Sequence, residues 1–572
     1  MFNMHIIVGP FNPIMRKIYV VALMLASFTL KAQQGGELTD KGQFSGNFQM
    51  NTQFYMRDDR IGANTTQYLR EKSSTEAWLF MNYKLHGFNF TVRYDLFNNS
   101  PLFNPFQAYT NQGLGYWEIT KEIDKFSITG GYFYDQFGTG LIFRAYEDRN
   151  IGIDFAIQGA RIVYTPNENL RIKAFTGRQK FRFDFREPVI KGGNVEYRLP
   201  VSENAILDMG ASLVNRTLDQ NTMSQIANTI NGYALEKRFN PTYNVYSWNI
   251  YNTLNYKKFT LYLEYCNKSP EAILDYSNTL VKKGGNVYYA SLSYATKGLG
   301  INGQIRRIET YPLRVNPLEI QPFPNSAVIN YLPALTRQNT YRLLARYNSV
   351  VQELGENAAQ LEITFKPNKK FAMNVNTSAV NMLSGVNFKN AIPEIKWDST
   401  TRLFSEFYID ATYKFTSAFK MMAGIQFIGY NQVLFEGKPQ EKAPYVNAIT
   451  PFGEFTYKFN STRSLRFEWQ YMHTNQDLGK FVNALIEYNI APHWSFAAGD
   501  LINIEHGTIN KPGPGEKFEF IHYYNFFAAY TYKTSRLTVA FLKQPQGVNC
   551  TGGVCRIEPA FSGGRITLTT NF

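Results

Sequence analysis

Cysteine, histidine, charge and long apolar runs are all scarce in this sequence. Only 18% of its 572 residues are Asp, Glu, Lys or Arg, against about 25% in an ordinary soluble domain. No stretch of 18 or more apolar residues occurs, which excludes a transmembrane helix. Three cysteines are too few for a disulfide-built scaffold. Six histidines with no supporting partner spacing give little to a hydrolase triad. His473, near Asp477, and His506, beside Glu505, are the two placed for an exposed rim, and both read as interface histidines. Gly-rich phosphate loops, zinc spacing and EF-hand loops are missing as well, so neither enzyme chemistry nor a cofactor or metal is expected.

Aromatic residues, by contrast, are abundant: 38 Tyr and 46 Phe bring the aromatic share to 16%. Mean hydropathy is nevertheless negative, at -0.31. Many aromatics, few charges and negative hydropathy together fit apolar residues that alternate with polar ones, as in a transmembrane β-barrel.

The N-terminus carries an export signal. Arg16 and Lys17 precede an apolar run, Ile18 to Leu30, and Ala32 supplies a small residue before Gln33. Residues 1–32 are therefore expected to be a signal peptide, with Met15 fitting the start of translation better than Met1. Residues 33–41 would form a short periplasmic tail, too short for a plug domain. Formal charge is +14, and loss of Arg16, Lys17 and Lys31 brings it to about +11. In an exported chain that excess suits anionic lipid head groups or anionic solutes rather than nucleic acid. Cys550 and Cys555, in NCTGGVC, are spaced for a small disulfide loop, which an exported compartment permits. Cys266 reads as a small buried residue.

From Gly42 to Phe572 one pattern persists. Phe88, Phe90, Val92 and Tyr94 alternate with Asn89, Thr91 and Arg93; Leu465, Phe467, Trp469 and Tyr471 alternate with Arg466, Glu468 and Gln470. Period two marks half-buried strands. Tyr-Lys recurs at strand ends before tight turns, at Tyr83-Lys84, Tyr256-Lys257, Tyr413-Lys414, Tyr457-Lys458 and Tyr532-Lys533. Such a tyrosine suits a membrane–water interface, and the lysine suits head groups. Eleven short turns join 22 strands. The first and last strands bring the total to about 24, an even number with both termini on the periplasmic side. Longer segments are expected at the other ends: Asp58–Ser73, Asn99–Gln112, Thr217–Asn240, Asn267–Lys283, Thr310–Glu356 and Asn381–Asp398. The fold expected is all-β, an antiparallel transmembrane barrel spanning residues 42–572.

The segment GGYFYDQFGTGLIFRAYEDRNIGIDFAIQGARI, Gly130 to Ile162, interrupts the alternation. Its Gln136, Phe137, Gly138, Gly140, Leu141, Arg144, Tyr146, Glu147, Arg149, Gly152, Asp154, Gly159 and Arg161 resemble a segment of large uncharacterised outer-membrane barrels of Gram-negative bacteria. The resemblance implies that fold and location and implies no substrate. The C-terminus is similar to the insertion signal of such barrels: Ile566, Leu568, Thr570 and Phe572 share one strand face, with the aromatic last. That similarity implies the barrel-assembly machinery as a partner during insertion, alongside outer-membrane lipids.

A barrel this wide leaks unless filled. Arg144, Glu147, Asp148, Arg149 and Asp154, crowded into eleven residues, suit either a charged constriction or a salt-bridged plug. Thr310–Glu356, with five prolines and many apolar residues between Tyr311 and Leu335, suits burial in the lumen. Inward strand positions lean basic, at Arg93, Arg171, Lys173, Arg182, Arg186, Arg306 and Arg466, with Arg161 nearby; Asp95, Asp184, Glu264 and Glu468 oppose them. Two functions fit: a solute channel or transporter with a loop-constricted lumen, anion-leaning or simply polar, and a non-conducting structural or assembly component of a larger secretion complex.

Overall fold

The computed structural model describes residues 42–275, 277–319, 327–387, 390–394, 402–436, 445–551 and 554–572. The proposed signal peptide and tail lie outside them. Twenty-four strands form the wall. The first eight are β1 (Gln43–Tyr55), β2 (Ser73–Leu85), β3 (Phe88–Ser100), β4 (Tyr109–Ile123), β5 (Phe126–Phe133), β6 (Ile157–Asn167), β7 (Leu170–Phe181) and β8 (Asp184–Ser202). Then come β9 (Ala205–Thr217), β10 (Asn244–Tyr256), β11 (Phe259–Leu274), β12 (Leu280–Thr296), β13 (Leu299–Glu309), β14 (Gly355–Phe365), β15 (Phe371–Met382) and β16 (Arg402–Lys414). The last are β17 (Phe419–Tyr430), β18 (Val446–Lys458), β19 (Arg463–Met472), β20 (Lys480–Ile490), β21 (Trp494–Glu505), β22 (Ile521–Tyr532), β23 (Ser535–Gln544) and β24 (Phe561–Asn571).

Each strand pairs antiparallel with its sequence neighbours, and β24 pairs with β1, so the sheet closes. Closure leaves no edge to be satisfied in lipid. The final residue completes it. Phe572 and Gly46 exchange backbone hydrogen bonds at 2.7 and 3.0 Å. Gly46 has no side chain, and the Phe572 ring occupies the space where one would be. Ile566, Leu568, Thr570 and Phe572 face outward with Phe44, as the alternation predicts.

Outward positions carry Phe90, Ile119, Ile250, Leu292, Ile305, Ile486 and Val539, all large and exposed. That belt is the surface a transmembrane barrel turns to lipid. At the short-turn end, aromatics meet across strands. Phe126 stacks on Tyr164 at 4.5 Å, Phe259 lies 4.8 Å from Tyr294, and Trp494 lies 4.7 Å from Tyr530. All eleven expected short turns are at this end, as are all five Tyr-Lys pairs.

The opposite end departs from expectation twice. Asn267–Lys283 is mostly strand, and only 275–279 connect β11 to β12. The ladder shifts register between Lys268 and Glu271. Pro270 sits in that bulge, where no ladder N–H is needed, so it does not stop the strand. Second, Arg182 is not an inward strand residue. It stands in a two-residue turn between β7 and β8 with φ of 59°. Arg186, near that turn, is paired with Glu319 of a long connection. The expected segment Thr217–Asn240 holds a helix, α1 (Gln220–Asn231), whose first turn is capped by Asp219 accepting from the Thr222 N–H at 3.0 Å. Of the expected segment Asn381–Asp398, residues 388–389 and 395–398 lie outside the described residues.

Candidate functional site: the plugged lumen

Two wall connections fold into the barrel, 134–156 between β5 and β6 and, between β13 and β14, residues 310–319 and 327–354. They share one apolar cluster. Phe137, Leu141, Ile142 and Phe143 of the first pack with Leu313, Val315, Ile329 and Leu332 of the second, against inward Phe175, Val214, Val245 and Val287. The far part of the second, with Leu343, Tyr347 and Val350, crosses to Tyr430, Val446, Phe481 and Leu501 on the opposite wall. Backbone bonds stitch the two together: the Arg144 N–H donates to Ile329 O at 2.9 Å and the Tyr331 N–H to Gly140 O at 2.8 Å. The Arg144 guanidinium lies 3.9 Å from the Tyr331 ring centre and 4.7 Å from that of Tyr146. Gly138, at φ of 53°, presses on Glu264: a Cβ there would stand 2.8 Å from its Oε1. Thr139 then donates its N–H to the same carboxylate.

The charges pair across plug and wall. Arg93 of β3 donates to Asp95 at 2.7 Å, to Glu147 at 2.5 Å and to Asp154 at 2.7 Å. Lys180 of β7 also holds Asp154, and Tyr134 donates to its other oxygen at 2.8 Å. Arg149 closes the group on Glu147 at 2.9 Å. Three cations thus meet three carboxylates, the condition under which buried ions persist. Asp148 stays outside the group and accepts from the Asn150 N–H in a turn. Arg161 and Lys173 share Asp135, at 3.3 and 2.9 Å. Arg306 pairs with Glu356 at 2.8 Å. Arg466 pairs with Glu454 at 2.8 Å and also holds Glu468. Arg171 is exposed and stands opposite Glu196. The basic lean of the inward positions is therefore met by carboxylates almost everywhere.

Residues the sequence did not single out complete the plug. Arg346 pairs with Asp477 at 2.6 Å. Arg342 reaches backbone carbonyls, those of Tyr523 and Lys543, both at 3.1 Å. Burial lowers Arg342 to about 10, which leaves it cationic at neutral pH. A lone arginine in a long connection carries no signal of this kind; only its place in the fold does. His473 joins Ile449 through backbone bonds, and the His506 ring bonds locally, to Gly507 O. The His522–Asp500 pair, at 2.6 Å, stands on the outer face of β21 and β22.

Cys266 is free and buried. In the connection before β24, Gly547–Thr551 pairs antiparallel with Val554–Glu558 and sets Cys550 opposite Cys555. Their side chains lie outside the described residues.

The chain matches a family model over residues 15–572. It belongs to a family of unknown function (DUF6029). No curated protein matches it. Similar solved structures include the siderophore receptor PirA from Pseudomonas aeruginosa, at 8% identity and a TM-score of 0.40, covering 94% of this chain and 81% of that one. The copper transporter OprC is similar at 8% identity and 0.42, covering 94% and 82%. The P pilus usher (PapC) translocation pore is similar at 9% and 0.37, covering 92% and 99%. The architecture rests on the strand pairing of this chain and draws nothing from such distant likeness.

Proposed function

We propose that this protein is a solute channel or transporter in the outer membrane of a Gram-negative bacterium, with a lumen constricted by its own loops and both termini in the periplasm. The observation that carries the proposal is a closed, outwardly apolar wall around a polar interior, blocked by segments that the wall itself supplies. Export through the signal peptide, insertion by the barrel-assembly machinery and a surrounding shell of outer-membrane lipid belong to the same proposal.

One observation favours the second function, a non-conducting component of a larger assembly. The plug is cored by apolar side chains and its charges are paired, as in a permanent filling. Single-channel recording in planar bilayers separates the two. Steady unitary current from the purified chain is the expected result. Silence, together with protein partners that co-purify in stoichiometric amounts, would establish the alternative.

A further inference from the structure

The plug does not cover the lumen wall evenly. Amides on the inner face of β15, β17 and β19 are sealed beneath it: Asn376, Gln426 and Gln470 are 0%, 2% and 0% exposed. The inner face of β1 carries the same chemistry, in Gln43, Ser45, Asn47, Gln49, Asn51 and Gln53, yet none of these is buried. Across the seam they face Asn571, Thr569, Thr567 and Arg565 of β24. The plug reaches this track through the tip of Arg149, 3.4 Å from Gln49 Oε1. A cavity of about 690 Å³ opens between the plug and the seam.

The cavity is lined by Arg149, Arg342, Arg346 and Arg565, against the carboxylates Glu76 and Glu558. Arg149 and Arg346 are taken by Glu147 and Asp477, Arg565 stacks on Phe561, and Glu76 accepts from Ser100. Among the described residues, Arg342 donates to two backbone carbonyls and forms no ion pair, the carboxylate of Asp500 acting on it only at longer range. Its two terminal nitrogens each spend one N–H on a carbonyl, and the N–H donors that remain suit a carboxylate or phosphate oxygen, the partner from which a partly buried cation gains most.

We infer that solute passes along the β24–β1 seam, between plug and wall, and that Arg342 is an oxyanion-binding residue on that path. The inference deepens the channel proposal and rests on it for transport, while the site itself stands on the cavity. The ligand class is a small solute bearing a carboxylate or phosphate, which the uncharged amide and hydroxyl track below would pass without holding.

The test is thiol modification of the full chain reconstituted in liposomes, with Cys550→Ser and Cys555→Ser so that reduction of that pair exposes no second reactive thiol. Asn51→Cys places a thiol on the cavity wall, and Thr567→Cys serves if the first variant inserts poorly. An anionic sulfonatoethyl and a cationic trimethylammonioethyl methanethiosulfonate are compared, each normalised to its rate with free cysteine. The anionic reagent is expected to be roughly fivefold faster, since a unit charge acts strongly at such range in a partly dry site. Adding Arg342→Gln should bring the ratio close to one. An unreactive thiol, equal rates, or a ratio that Arg342→Gln leaves unchanged would each overturn the inference. A barrel that conducts while the thiol stays unreactive refutes the seam path and leaves the channel standing. Anion-favoured modification in a barrel that carries no current supports the site and refutes the channel.

Discussion

Arg93 is almost wholly buried, and its charge is tolerable only because Asp95, Glu147 and Asp154 surround it. Arg93→Ala would leave three carboxylates with two cations, Lys180 and Arg149. Breaking a buried network in this way costs about 3–5 kcal/mol. The urea midpoint of the heat-modifiable form should fall sharply. Arg171→Ala, at an exposed site, should leave stability within about 0.5 kcal/mol of the parent. Phe572 acts through its ring and its two backbone bonds with Gly46. Its deletion should sharply lower the inserted, heat-modifiable fraction while export continues; normal insertion would remove it from the signal. Gly46→Leu should act in the same direction by evicting the ring. Cys550 and Cys555 face each other across a strand pair, a spacing that suits a disulfide. Both should resist alkylation until reductant is added, and free labelling in native cells would contradict the bridge.

Strands and turns were legible because each carries its own punctuation. Tyr256-Lys257 marks one turn locally, and the alternation that follows, Phe259, Leu261, Leu263 and Tyr265, settles which face is apolar. What stayed hidden was non-local. Pro270 looks like a breaker until its bulge is seen, and Arg182 looks like a strand residue until the turn beneath it is known. The composition of Thr310–Glu356 pointed to burial, but pairings within the lumen did not follow: Arg93 and Asp154 are far apart in sequence, and no local pattern links them. Arg342 differs from other arginines only by the cavity it lines. Removal of Leu313 to Leu335 probes the second connection as a unit. That deletion strips it from the cluster around Phe137 and Phe143 and leaves the wall ladder intact. The barrel should still insert, and cells should become permeable to large antibiotics that the outer membrane otherwise excludes. Unchanged permeability with normal insertion would reject this connection as the block.

For the whole molecule, closure joins strands that are remote in sequence. The Asn47 side chain donates to Asn571, 524 positions away. Every other wall pairing links neighbours in sequence. Until β24 arrives, the sheet is a broad ribbon with two bare edges, each able to recruit a foreign strand. Among the wall pairings the seam therefore carries the largest loop-closure cost in chain entropy, and synthesis order does not lower it, because β24 is made after every other strand of the wall. The ring itself has no intrinsic beginning: with β1 and β24 side by side, the wall can be cut at another short turn and rejoined here, and a permuted barrel opened at Lys533 would place its vulnerable edges elsewhere.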